Sequence, residues 1–223
     1  MENHLNISKT IRKCQRNWDL SKTIPKEHIK HLAHIAKHAP SKQDEAYFDL
    51  AVITSRKIID QIHEWSVGFL QFDENHNPLP SIKNPQTAAK LLFIWFKKTP
   101  PTIRNYYQNQ PGYHTPNPTE KDGAPKRQDE PSRRDNAYTS IGISTGVTAW
   151  AAAELGYVTG FSKNLGESNA LKALLNIDLE PTYSLGIGFP DTSLPHNVSH
   201  EGNVYNSFSN RKRKTKIYYY END

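Results

Sequence analysis

The sequence predicts an α+β domain in which helices cover a central sheet. Asp49 to Thr54 (DLAVIT) and Leu91 to Phe96 (LLFIWF) are short, nearly continuous apolar runs rich in β-branched and aromatic residues, as expected of central strands. Helical periodicity recurs before, between and after them. The elements alternate without a strict strand–helix–strand rhythm, which favours a layered α+β arrangement over a doubly wound one.

Lys26 to His38 reads as an amphipathic helix, with Ile29, Leu32, Ala33 and Ala36 at helical spacing, Thr23 as N-cap and Pro25 in the first turn. Pro40 stops it. Arg56 to Phe69 places Ile58, Ile59, Ile62, Trp65 and Phe69 on one helical face, and a polar, proline-containing loop is expected from there to Asn84. Pro111 to Asp135 holds five prolines, two glycines and ten charged residues, with no Leu, Ile, Val, Phe or Met to anchor it. It is predicted to be a mobile loop or lid within a single domain spanning residues 1–223.

Asn136 to Leu155 is the strongest helix, with Ile141, Thr145, Thr148, Ala152 and Leu155 in register and Gly156 at its end. Its Gly142, Gly146 and alanines permit close backbone approach, so it belongs at the centre of a fold or of a dimer. A shorter helix follows from Glu167 to Leu175, then a strand from Tyr183 to Phe189. Lys216 to Tyr220 is a candidate terminal strand. No internal repeat is visible.

Composition narrows the classes. A length of 223 residues with 35% hydrophobic content can fill a core, while a mean hydropathy of −0.77 and the lack of a long apolar run exclude membrane spans. The first ten residues lack the apolar stretch of a signal peptide, and Cys14 is the sole cysteine, so a reducing, cytoplasmic setting is expected. The formal charge of +5 points to an anionic partner, which a phosphate-bearing cofactor satisfies as well as nucleic acid does.

Several motifs have ordinary explanations. Gly186-Ile187-Gly188-Phe189-Pro190 lacks the third glycine of a dinucleotide fingerprint, and Pro190 opposes a following helix. His28, His31, His34 and His38 share a helix without cysteine or carboxylate ligands, which favours a solvated face over a metal site. Cys14 has no adjacent base. Two basic clusters remain, Arg12, Lys13 and Arg16 near the start and Arg211 to Lys214 near the end. They serve as solvated tails, as a nucleic-acid patch, or as two arms converging on one phosphate.

Arg12-Lys13-Cys14-Gln15-Arg16-Asn17-Trp18 resembles the R-x-S-x-R-x-F motif of the FMN-dependent nitroreductase family. Ala39 to Asp44 (APSKQD) is similar to that family's A-P-S-x-x-N, Asp135 to Gly156 to its long central helix, Leu171 to Ile177 and Ser184 to Pro190 to its later helix and strand, and Arg211 to Arg213 to its terminal basic pair. The resemblance implies a layered sandwich with a mostly antiparallel sheet. It also implies a homodimer with C-terminal strand exchange, and FMN bound in the interface. The implied reaction is ping-pong: NAD(P)H reduces the flavin, which then reduces a flat small-molecule acceptor.

Carried over by position, Arg12, Arg211 and Arg213 would hold the FMN phosphate, with Lys13 alongside. Cys14 replaces a serine on the phosphate side, and a thiol donates more weakly, so this departure predicts weaker retention. Arg16 would reach the flavin N1–O2 edge as the catalytic charge. Pro40 and Ser41 would line the ring across the dimer interface, with Asp44 in place of an asparagine, and Lys83 or Asn84 would lie near the pyrimidine. Gly160-Phe161-Ser162-Lys163-Asn164 corresponds to the loop expected to present backbone N–H groups to N5, Lys163 replacing a residue that is often acidic.

The function implied is reduction of nitro compounds, quinones or related conjugated acceptors. Alternatives are a specialised relative carrying out reductive dehalogenation or flavin cleavage, an FMN binder with little turnover, and a basic nucleic-acid-binding protein. The last has thin support, because most aromatic residues sit in apolar runs rather than among the basic ones.

Overall fold

The computed structural model describes residues 2–45, 47–72, 77–98, 130–163, 165–200 and 218–219. Four strands form one antiparallel sheet: β1 (Phe48–Ile53), β4 (Leu91–Lys97), β6 (Glu180–Gly188) and β5 (Val158–Ser162), side by side in that order. β4 pairs on both edges, and its six residues Leu91 to Phe96 are all buried. Alternation along it feeds two cores. Leu91, Phe93 and Trp95 join Leu185 and Ile187 of β6 under α2 (Lys26–Lys37) and α4 (Glu130–Glu154). Leu92, Ile94 and Phe96 face the opposite way, against α3 (Arg56–Trp65) and α5 (Ser168–Leu175). The result is a three-layer α+β sandwich.

The helix interfaces follow from the sequence patterns. On α2, Leu32 and Ala36 are fully buried while His31, His34 and His38 are exposed, as the amphipathic spacing predicts. Pro25 occupies the N-cap position without a side-chain cap bond, in place of the expected Thr23. His28 Nδ1 lies 2.7 Å from the Tyr157 hydroxyl, and no group of three or more ligand-type residues suited to a metal occurs among the described residues. α4 ends where Gly156 adopts φ +86°, and Tyr157 N–H donates back to Ala152 O at 2.9 Å. Ser144 links three elements: its hydroxyl accepts from Trp95 Nε1 at 2.9 Å and donates to Ala36 O at 2.7 Å.

The structure departs from the sequence expectations at several further elements. The 56–69 helix stops at Trp65, because Ser66 turns extended, and Phe69 instead opens β2 (Phe69–Phe72), which pairs with β3 (Pro78–Ile82) as a two-stranded ribbon where a loop was expected. Two prolines in β3 hid this strand, although a ribbon edge tolerates them. Residues 130–135 begin α4 rather than ending a loop, since proline is compatible with a first helical turn; the rest of the 111–135 segment lies outside the described residues. Residues 160–162 belong to strand β5 and not to a loop. An unforeseen helix, α1 (Glu2–Ile11), opens the chain with Ile7 as its buried residue. Of the terminal strand candidate only Tyr218 and Tyr219 are described, and neither is in a strand.

No helix among the described residues is long and apolar enough to cross a membrane. Ser144→Ala should destabilise the fold by about 1–3 kcal/mol, because a buried indole N–H is left without its acceptor. Urea unfolding followed by tryptophan fluorescence measures the loss.

Candidate functional site

Gly160 on β5 pairs directly with Gly186 on β6, and this pair makes a floor without side chains. A Cβ at Gly160 would stand 2.6 Å from Gln15 O and 2.8 Å from Gln86 Cγ; one at Gly186 would stand 2.2 Å from Gln86 O. Gly188 continues the floor under the Trp18 ring. The glycines of the GIGFP stretch therefore serve close packing of the basic N-terminal segment and of the short 3₁₀ helix Pro85–Ala88 onto the sheet.

That segment is fastened on both sides. Gln15 N–H donates to Thr159 O at 2.9 Å, Asp19 N–H to Phe189 O at 2.9 Å, and Trp18 Nε1 to Pro85 O at 2.8 Å. From the other side, Arg16 N–H donates to His196 O at 3.0 Å and Trp18 N–H to His200 Nε2 at 3.3 Å. The Asn17 side chain donates to Pro195 O at 2.7 Å and to Val198 O at 2.9 Å. Gln15 and Asn17 are buried; Arg16 is half-buried, and its Nη1 lies 3.5 Å from Asn197 O. Arg12 and Lys13 are exposed beside it.

Cys14 is half-buried against β5, where its thiol donates to Phe161 O at 3.6 Å and accepts from Gln86 Nε2 at 3.3 Å. Burial, with the Cys14 sulfur as a smaller contribution, pushes the Tyr183 hydroxyl above its usual range. Two buried polar atoms in this region, Gln86 Oε1 and Thr159 Oγ1, have no hydrogen-bond partner among the described residues. Gln86 and Thr159 carry no motif signature, and sequence reasoning did not single them out. Two carboxylates flank the segment: Asp19 is held below the usual range mainly by hydrogen bonds from Ser21 and Lys22, and Asp191 mainly by hydrogen bonds from Ser193.

The other sequence candidates divide into groups. Asn84 is buried; its Oδ1 accepts from Gln86 N–H at 3.1 Å, and its amide hydrogen-bonds Ser162 Oγ, bringing two candidates together. Lys83 instead pairs with Glu64 at 3.2 Å, on the outer side of α3. Lys163 is exposed, with its ammonium 5.6 Å from the Tyr138 ring centre, which Lys97 approaches to 5.4 Å. Pro40, Ser41 and Asp44 occupy the connection from α2 to β1, with Asp44 at φ +57°. Asn164, Arg211 and Arg213 lie outside the described residues.

No curated protein sequence matches the chain. Its fold matches that of a nitroreductase family protein from Streptococcus pneumoniae, with a TM-score of 0.59 at 14% identity over 95% of this chain and 99% of that one. Nitroreductase A of Vibrio parahaemolyticus aligns with a TM-score of 0.59 at 12% identity over 98% of this chain and 79% of its own. NfrA2 of B. megaterium gives 0.58 at 17% identity, covering 88% and 70%. The nitroreductase family model matches residues 10–189, from the end of α1 through the basic segment and the whole sheet to the end of the glycine floor. On that match the chain belongs to the nitroreductase family.

Proposed function

We propose that this oxidoreductase binds FMN, takes electrons from NAD(P)H, and delivers them to nitro compounds, quinones or related conjugated acceptors. The observation that carries this reading is a half-buried guanidinium, Arg16, on a backbone fixed to the glycine floor on one side and to the 195–198 turn on the other. The donor set fits the cofactor. Exposed Arg12 and Lys13 would supply cationic contacts for a phosphate, beside a glycine floor where no side chain stands between the sheet and the basic segment.

Bound FMN would supply the two-electron chemistry between donor and acceptor. Arg16 would set a fixed positive charge beside the N1–O2 edge, where negative charge collects on reduction. Burial and the neighbouring carbonyls hold that charge in place without a flexible search. Cys14, engaged with Phe161 O and Gln86, is a poor donor toward phosphate, which leaves retention to the basic residues. Asn84 and Ser162, bonded to each other, would shape the pyrimidine end, while Pro40, Ser41 and Asp44 would come from a second subunit. Arg211 and Arg213 would complete the proposed phosphate grip, with Lys163 and Asn164 proposed for the rim.

A homodimer is part of the proposal. On α4, Gly142 and Gly146 have open space where a Cβ would stand, and Ile143 beside them is 39% exposed. This stripe suits a second copy of the same helix. Tyr218 and Tyr219, 70% and 78% exposed, are the described residues of the terminal segment proposed to cross to the partner.

Purified protein reconstituted with FMN and desalted should retain a visible band at about 450 nm, a typical flavin absorption. A colourless protein that instead binds nucleic acid with strong salt dependence would refute the assignment. Arg16→Ala should lower kcat/KM for NAD(P)H-dependent quinone reduction about 100-fold, the usual cost of removing one preorganised charge-stabilising donor. Undiminished activity would remove Arg16 from the mechanism. Gly146→Leu should favour the isolated helix yet shift sedimentation from dimer to monomer.

A further inference from the structure

We infer that Asn17 is a positioning residue for Arg16, and that the 195–198 turn acts on the flavin charge site through it. Four consecutive carbonyl oxygens of that turn point at two consecutive residues. Pro195 O and Val198 O accept the two N–H bonds of the Asn17 amide at 2.7 and 2.9 Å. His196 O accepts from Arg16 N–H at 3.0 Å, and Asn197 O lies 3.5 Å from Arg16 Nη1. The turn is closed by Val198 N–H donating to Pro195 O at 2.9 Å.

The Asn17 amide is saturated and fully buried. Its Oδ1 accepts from Gln15 Nε2 at 2.8 Å, and the same Gln15 nitrogen donates to Asn17 O at 2.9 Å. Burial alternates along the segment, Gln15 and Asn17 inward and Arg16 partly exposed, as in an extended chain. Gln15 and Asn17 therefore lock each other on the inner side while Arg16 faces the other way. The backbone of the turn cannot distinguish residue types, but its spacing demands a side chain with two N–H donors at this depth. Asparagine meets that demand; aspartate would set a carboxylate against two carbonyls.

This role rests on the proposed FMN function. The test uses the full-length, FMN-reconstituted protein with Asn17→Ala, Arg16→Ala and the double variant, reading the flavin midpoint potential by dye-linked reduction, alongside FMN affinity by fluorescence quenching and Tm. Asn17→Ala should move the potential to a more negative value, as Arg16→Ala does, weakening reduced relative to oxidised FMN about tenfold, the scale of one charge-assisted hydrogen bond. In the Arg16→Ala background the same substitution should cause no further shift. A flavin-loaded Asn17→Ala variant with the unaltered potential overturns the positioning role, even where its Tm falls, and so do additive shifts. A wild-type chain that takes up no FMN overturns the proposed function instead, and this role with it. Should Asn17→Ala fail to fold, Asn17→Ser and Gln15→Leu, which each leave part of the network, give the same comparison.

Discussion

β4 is the constraint on which the rest depends. A strand apolar at every position from Leu91 to Phe96 cannot lie at an edge or against solvent, so it must be paired on both edges and covered on both faces. That requirement demands β1 and β6 as neighbours, α2 and α4 on one face, and α3 and α5 on the other. Burying side chains such as Trp95 and Phe93 contributes on the order of 1.5–3 kcal/mol each, and the one polar atom that goes with them, the Trp95 indole nitrogen, is met by Ser144. The outer pair β5 and β6 inherits its position from this core. Its glycines then leave the sheet surface bare at one end.

The site is built on that bare surface. Elsewhere the sheet presents apolar side chains to helices, whereas at Gly160 and Gly186 it presents backbone to backbone, and a segment rich in basic residues lies flat upon it. In the proposed mechanism rigid placement matters, because an arginine gains catalytic value from being already in position when charge develops. A long side chain in water would have to be ordered at each turnover, whereas Arg16 sits on a backbone bonded from two sides.

Where sequence was a good guide, a single side-chain period decided the outcome. The apolar runs of β1 and β4 and the spacing of Leu32 and Ala36 on α2 each point to one face or two, and these elements lie where expected. Where several weak preferences competed, it misled. β3 carries two prolines and reads as a loop, yet it pairs with β2; the charged start of α4 reads as an extension of the loop before it. At the site, Cys14 and Arg16 were marked by their motif; Cys14 meets Phe161 O and Gln86, and Arg16 meets the 195–198 turn. Gln86 was invisible, because a lone glutamine before an apolar run has no pattern to distinguish it and acquires meaning only through its approach to Cys14 and Gly186. Asn84 and Ser162 were both chosen by position, but their mutual hydrogen bond spans 78 residues and no local rule encodes it.

The clasp around residues 15–18 also sets an order of assembly. Arg16 is 181 positions from the Asn197 carbonyl beside it, and Trp18 is 182 from His200, so these contacts close some of the longest loops in the chain. Loop-closure entropy makes such contacts late events, after the local helices and the β1–β4 ribbon have formed. During synthesis the N-terminal segment must wait, exposed and basic, until β5, β6 and the turn beyond them have left the ribosome. The site would therefore close last, and the proposed FMN, if present at that moment, would act as the last piece of the fold rather than as a ligand to a finished one.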